Sequence, residues 1–176
     1  STLTSRFIFP QLSLEGRRMW VLGLAPMRRS SLLWGKFFFA AGGSLLISGS
    51  LIVLSDLMLD VAGWVLAVHV LVMVCVCSGL NGLAVGLGAI YPNTRTDDPS
   101  RIVSSFGGTL NLVCSIAFIL FSIAPVSAVL HLQITGELET RTFVISLSLA
   151  LAAEVALALV ATLLPMLRGI RAINRM

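Results

Sequence analysis

Charge is what this chain of 176 residues has least of: Asp, Glu, Lys and Arg together make up 11% of it, against 57% hydrophobic residues. A water-soluble domain has no way to hide that much apolar surface, so a soluble globular fold is excluded. Recognisable catalytic machinery is missing as well. No glycine-rich phosphate-binding loop, zinc-protease histidine pair or serine nucleophile elbow occurs in the sequence. No paired carboxylates or histidine cluster share a depth and face, so no catalytic residue is assigned and a membrane enzyme is not supported. Cysteine is scarce, and Cys75, Cys77 and Cys114 all fall in apolar stretches where they act as small apolar residues. Cys75 and Cys77 form a C-x-C pair, but further ligands are lacking and the two point to different faces of a helix. Neither a metal site nor a cofactor is expected. No stretch has the basic start and apolar core of a cleavable signal peptide.

What is present is long apolar sequence. Cutting at the charged residues, and ending the third run at the polar loop that begins with His131, leaves uncharged runs over 37–55, 61–94, 102–130 and 142–167. Each matches or exceeds the roughly 17–25 residues that cross a hydrocarbon core as helix. The expected fold is therefore an all-α membrane protein with four transmembrane helices. The second run is too long for one straight span, and Gly79, Gly82, Gly86, Gly88 and Pro92 crowd its end. Regular helix should weaken between Gly82 and Tyr91, leaving a span near 63–85. Pro125 should kink or end the third helix, and Pro165 lies near the end of the fourth.

Lysine and arginine set the orientation. Arg6, Arg17, Arg18, Arg28, Arg29 and Lys36 precede the first span, Arg95 and Arg101 lie between the second and third, and Arg168, Arg171 and Arg175 follow the fourth. The other two connections carry Asp56 and Asp60 with no base, and Glu137 and Glu139 against a single Arg141. This asymmetry puts both ends inside, N-in/C-in, as a multi-pass protein of the cytoplasmic membrane. It divides the chain into a cytoplasmic segment (1–36), a four-helix bundle (37–168) and a basic tail (169–176). The net charge of +4 then reflects contact with anionic membrane lipids and does not imply nucleic acid. The chain opens with Ser1, and its first nine residues read like the tail of something earlier, so it is taken as the later part of a longer membrane protein.

The segment SLEGRRMWVLGLAPMRRSSLLWGK, residues 13–36, is the place to meet a soluble partner. Ser13 is a suitable N-cap, Glu15 suits the positive first turn and Pro26 forbids a long continuation, so a short amphipathic helix over about residues 14–24 is expected. Trp20, Trp34 and, at the start of the second span, Trp64 are candidate anchors at the membrane interface. A second helix should start near Ser30 or Ser31 and run through Trp34 and Lys36 into the first span. On residues alone, an interfacial helix that merely positions a membrane segment explains this equally well. The order FPQLSLEGRRMWVLGLAPMRRSSLLWGK, however, resembles the cytoplasmic segment of type 2 ATP-binding-cassette (ABC) exporter permeases, and is most similar to the ABC exporter branch that carries Ser-Leu-Glu-Gly-Arg. That resemblance implies a coupling helix in which Glu15, Gly16 and Arg17 dock on an ATPase subunit, with Pro26 and Lys36 marking the turn and the return to the membrane. It also implies that the four spans are the C-terminal helices of a six-helix permease, acting with a second permease half, as a homo- or heterodimer, and with a separate ABC ATPase subunit that supplies the hydrolysis. The alternatives are a structural or assembly protein whose basic helix binds lipid, and a secondary transporter coupled through Glu154.

His69, Asn81, Asn111 and Glu154 are the polar side chains expected at membrane depth. Glu154 needs explaining most, because an acid near a helix centre costs about 2.5–3.5 kcal/mol on insertion scales. A protonated acid, a pair with His69 and a wet cavity are the available explanations. Its functional reading is a place on the transport route or a proton carrier, and its plain reading is a hydrogen bond between helices. Asn81 and Asn111 neighbour glycines and read as amides bonding between close-packed helices. Gly82 and Gly86 form a G-x-x-x-G pair, a weak candidate for dimerisation. His69 reads as a bonded interior residue. The loop 91–102, with Asp97, Asp98 and a capping Ser100, reads as a solvated connector.

Overall fold

The computed structural model describes residues 8–9, 29–92, 103–136 and 139–174. Glu15, Gly16, Arg17, Trp20 and Pro26, and with them the expected coupling helix, lie outside the described residues, as does the loop with Asp97, Asp98 and Ser100. The described residues form four long helices and no strand: α1 (Arg29–Met58), α2 (Gly63–Ile90), α3 (Phe106–Ile134) and α4 (Thr140–Asn174). Each is long and apolar enough to cross a membrane. This is the signature of a multi-pass membrane protein.

The outer surface confirms the solvent these helices expect. Phe39 is 79% exposed and Leu46 74%, while Asn81, Asn111, Ser115 and Ser122 are fully buried. Apolar side chains outside and polar ones inside suit hydrocarbon, where the unpaired polar group is the costly one.

The helices alternate in direction. Ser44 of α1 meets Asn81 of α2, while Asp56, later in α1, meets His69, earlier in α2. Phe118 of α3 lies over Gly79 of α2, and Ser122 of α3 meets Glu154 of α4. The beginning of α1 and the end of α4 therefore share one end of the bundle, where Leu33, Phe37, Val85, Ala89 and Met166 form one apolar cluster. The α1–α2 connection is tight: Val61 N–H donates to the Asp56 carbonyl, and Asp60 takes φ +50°, a left-handed conformation that Asp tolerates better than most residues.

Helices α2 and α4 make the most extensive contact. A Cβ on Gly82 would stand 2.5 Å from the Thr162 Cα, one on Gly86 would enter Pro165 and the Met166 nitrogen, and one on Gly169 would come 2.9 Å from the Ala89 Cβ. The three contacts climb both helices together, so α2 and α4 run parallel with their backbones nearly touching. This corrects two expectations. Helix α2 does not weaken after Gly82 but continues to Ile90, because its glycines are matched by α4 rather than left to their poor helix propensity. The G-x-x-x-G pair is consumed inside the chain, which removes it as a dimerisation face.

The prolines are also absorbed. Helix α3 passes Pro125 and reaches Ile134, so His131 belongs to the helix and not to the loop. Helix α4 passes Pro165, whose ring side fills the notch at Gly86, and takes in most of the basic tail up to Asn174. Phe9 is wholly buried among α2 and α3, with its carbonyl oxygen 2.8 Å from where a Gly88 Cβ would stand.

Gly86→Ala should destabilise the bundle by about 1–3 kcal/mol, the usual cost of forcing atoms into a filled site. Gly43→Ala, on the open side of α1 where nothing lies within 4 Å, should not. Thermal unfolding of the purified protein in detergent distinguishes the two.

Candidate functional site

Two polar arrangements lie within the bundle, and they differ in what they leave accessible. The first is sealed. The buried face of α3 carries Gly107, Gly108, Asn111, Ser115, Phe118, Ser122 and Val126, a spacing of three and four that makes one stripe. Its Ser122 hydroxyl donates to Glu154 Oε1 at 2.5 Å, and Glu154 is 3% exposed. The acid at membrane depth is thus held by a hydroxyl on the facing helix. It does not pair with His69.

Ser115, one helical stretch earlier on the same stripe, has a buried hydroxyl with no hydrogen-bond partner. Asn81 bridges α1 and α2: its Nδ2 donates to the Ser44 hydroxyl at 2.6 Å and to the Cys77 carbonyl at 2.8 Å. Asn111 is fully buried on the α3 stripe.

The second arrangement borders open space. A cavity of about 570 Å³ lies between α1, α2 and α3. At its polar end the His69 Nδ1 and Asp56 Oδ2 are 2.8 Å apart. Asp56 is 6% exposed, so the residue read as part of an outer turn instead faces inward from the last turn of α1. His69 is bonded, as read, and also lines the cavity. Glu154, Asn81 and Asn111 do not line it. Among the described residues no group of three or more His, Cys, Asp or Glu is placed to hold a metal, and Cys75, Cys77 and Cys114 are free thiols.

Asp56 is the site residue that sequence reasoning missed. Its signal was faint: an acid and a histidine on either side of a short turn between two apolar helices.

Trp34 and Trp64 sit at opposite ends of the bundle. Trp34 packs on Phe37 and Phe38 at 5.6 and 5.7 Å near the start of α1, and Trp64 meets Phe143 edge-on at 5.9 Å at the other end. Lys36 lies on the first turns of α1, beside Trp34 and Phe37 in sequence.

A family model described as "Putative ATP-binding cassette" matches the chain over residues 1–176. The chain belongs to that family. No curated protein and no solved structure matches it. The family's description names an ATP-binding unit, whereas this member contributes four membrane-length helices and its sequence has no phosphate-binding loop. Asp56, His69 and the sealed Glu154 are therefore carried by membrane-length helices of an ABC-family chain.

Glu154→Gln keeps an oxygen to accept from Ser122 and should leave stability within about 0.5 kcal/mol of the parent. Glu154→Ala removes the partner and leaves a gap, and should cost about 1–3 kcal/mol. Both are read from unfolding midpoints in the same detergent.

Proposed function

We propose that the chain is the membrane-spanning permease component of an ATP-driven exporter and works with a separate ATPase subunit. One observation carries this reading: a chain of the ATP-binding-cassette family is built of four spanning helices and has no loop to hold a nucleotide. If ATP is used, its hydrolysis belongs to another domain or subunit.

The distribution of basic residues supports a cytoplasmic position for the beginning of α1 and the end of α4, where a soluble ATPase would reach segment 13–24. Glu15, Gly16 and Arg17 are the proposed docking residues, with Pro26 as the turn. Helix α1 is a suitable transmitter. It runs without interruption from Arg29, just beyond that turn, to Met58, and its far half forms one wall of the cavity. A displacement at its cytoplasmic end would move Ser48, Ile52 and Asp56 as one rigid rod.

A second permease half, identical or not, completes the working unit in this reading. Proton coupling through Glu154 has less support, because that carboxyl is closed off by Ser122 and does not line the cavity.

The test is purification of the full protein from its source membrane in mild detergent, with vanadate-sensitive ATP hydrolysis assayed in the eluate. Wild type should carry that activity, and Glu15→Arg, which reverses the charge at the docking surface, should lose most of it while remaining folded. Absence of ATPase from both folded proteins would end the exporter reading in favour of a lipid-binding or assembly role.

A further inference from the structure

We propose that the cavity between α1, α2 and α3 is a binding site for a lipophilic cation, a molecule with a bulky apolar body and one positive charge that pairs with Asp56. The inference deepens the exporter reading and rests on it only in treating that molecule as cargo; the binding itself does not depend on ATP.

Size is the first argument. About 570 Å³ lies within the roughly 300–1,000 Å³ typical of small-molecule pockets and is far more than one or two waters need. Lining is the second. Ile52, Val72, Val76, Ile119, Ile123 and Leu130 make the walls apolar, so the body of the ligand must be apolar too.

Charge is the third and decides the sign. Among the described residues, Asp56 and His69 are the acidic and basic side chains that line the cavity, and no lysine or arginine does. With the imidazole neutral the cavity carries one negative charge, and with it protonated the pair balances. In neither form is the cavity positive, so an anion gains nothing there and a cation gains Asp56.

The geometry leaves room for that cation. His69 engages Oδ2 of Asp56 at 2.8 Å, and Asp56 also borders the open volume. A carboxylate taken out of water is costly unless it is well paired. A single histidine whose side chain is 40% exposed is a weak cover for a carboxylate whose side chain is only 8% exposed. The hydroxyls of Ser48, Ser55 and Ser127, which also line the cavity, are compatible with a weakly hydrated cation.

The probe is radiolabelled tetraphenylphosphonium, measured at equilibrium with the full chain in lipid nanodiscs and with empty nanodiscs subtracted. Tetraphenylborate, of the same shape and opposite charge, is the comparison. Wild type should bind the phosphonium saturably and the borate not at all above the empty-disc background. Asp56→Asn should raise the phosphonium Kd by roughly tenfold or more, as expected for loss of a partly buried charge partner. Ser127→Trp, which fills the cavity from α3 and leaves both charges in place, should abolish saturable binding even if the Asp56 variant fails to fold.

No saturable phosphonium binding by wild type would overturn the proposal. So would equal affinity in a folded Asp56→Asn protein, undiminished binding by Ser127→Trp, or a preference for the borate, which would mark a lipid-filled apolar gap. The exporter reading fails separately: phosphonium binding with no associated ATPase leaves the site standing and removes its role in export, whereas an associated ATPase without phosphonium binding does the reverse.

Discussion

The near-contact of the α2 and α4 backbones is the constraint on which the other arrangements depend. Gly82, Gly86 and Gly169 allow two parallel helices to approach until Thr162, Pro165 and Ala89 take the space their missing side chains would occupy. In hydrocarbon there is little hydrophobic drive for one apolar helix to prefer another over lipid, so dispersion across such a close surface is a main source of association. Once the pair is set, α1 and α3 are placed by what they can reach on it. Helix α1 lays Phe37 and Ala41 against Val85 and Ala89. Helix α3 seats Phe118 over Gly79, which has no side chain to resist it, and this brings Ser122 to Glu154. The polar links therefore follow from the apolar seam and secure a register it has already chosen.

The two acids inside the bundle show how position along a helix decides what a carboxyl is for. Glu154 lies well within α4 and is closed off by a hydroxyl on the facing stripe, an arrangement that meets the demand for a partner in a medium without water. Asp56 lies in the last turn of α1 and shares its histidine with a cavity wall. The first is explained by structure alone. The second leaves a charge beside open volume, which packing does not require and a ligand would use.

Much of the architecture was legible in the sequence because the bilayer imposes it. Charge-free runs of spanning length mark four helices whatever their packing, and Ser30 and Ser31 located the beginning of α1 close to Arg29. Asn81 beside Gly79 and Gly82 pointed to an amide between close helices, and its bond to Ser44 is of that kind. The differences have separate causes. Gly82, Gly86 and Gly88 were weighed by intrinsic propensity, which penalises glycine in an isolated helix, and the packing of α4 and Phe9 that outweighs the penalty is not written near them in the chain. Asp56 was assigned to a turn because charge cut the run there, although the helix ends two residues later. Phe9 stands beside a proline in a short apolar stretch with no periodicity, and its slot is made by Gly88 and Gly107 from two different helices. A cavity walled by three helices is a property of their angles and has no linear signature.

Seen from the cavity, α1 is the helix best suited to connect events at its beginning with those at its far end, where Asp56 lies. Helices α2 and α4 are locked by backbone contact, and α3 is tied to both through Phe118 and Ser122. Helix α1 is held through side chains: Leu33, Phe37 and Ala41 near its start, the Ser44–Asn81 link midway and the Asp56–His69 pair at its end, with Gly42 and Gly43 facing nothing within 4 Å. A lever needs a rigid body and a yielding contact. A continuous helix supplies the first, and a single hydrogen-bonded contact between a buried carboxyl and a half-exposed imidazole supplies the second. A cation that competes with His69 for Asp56 would loosen that contact, and movement of α1 would change how well Asp56 holds the cation. Each effect is the thermodynamic counterpart of the other. In the proposed exporter, cargo recognition and a movement transmitted along α1 would then act on the same pair of side chains.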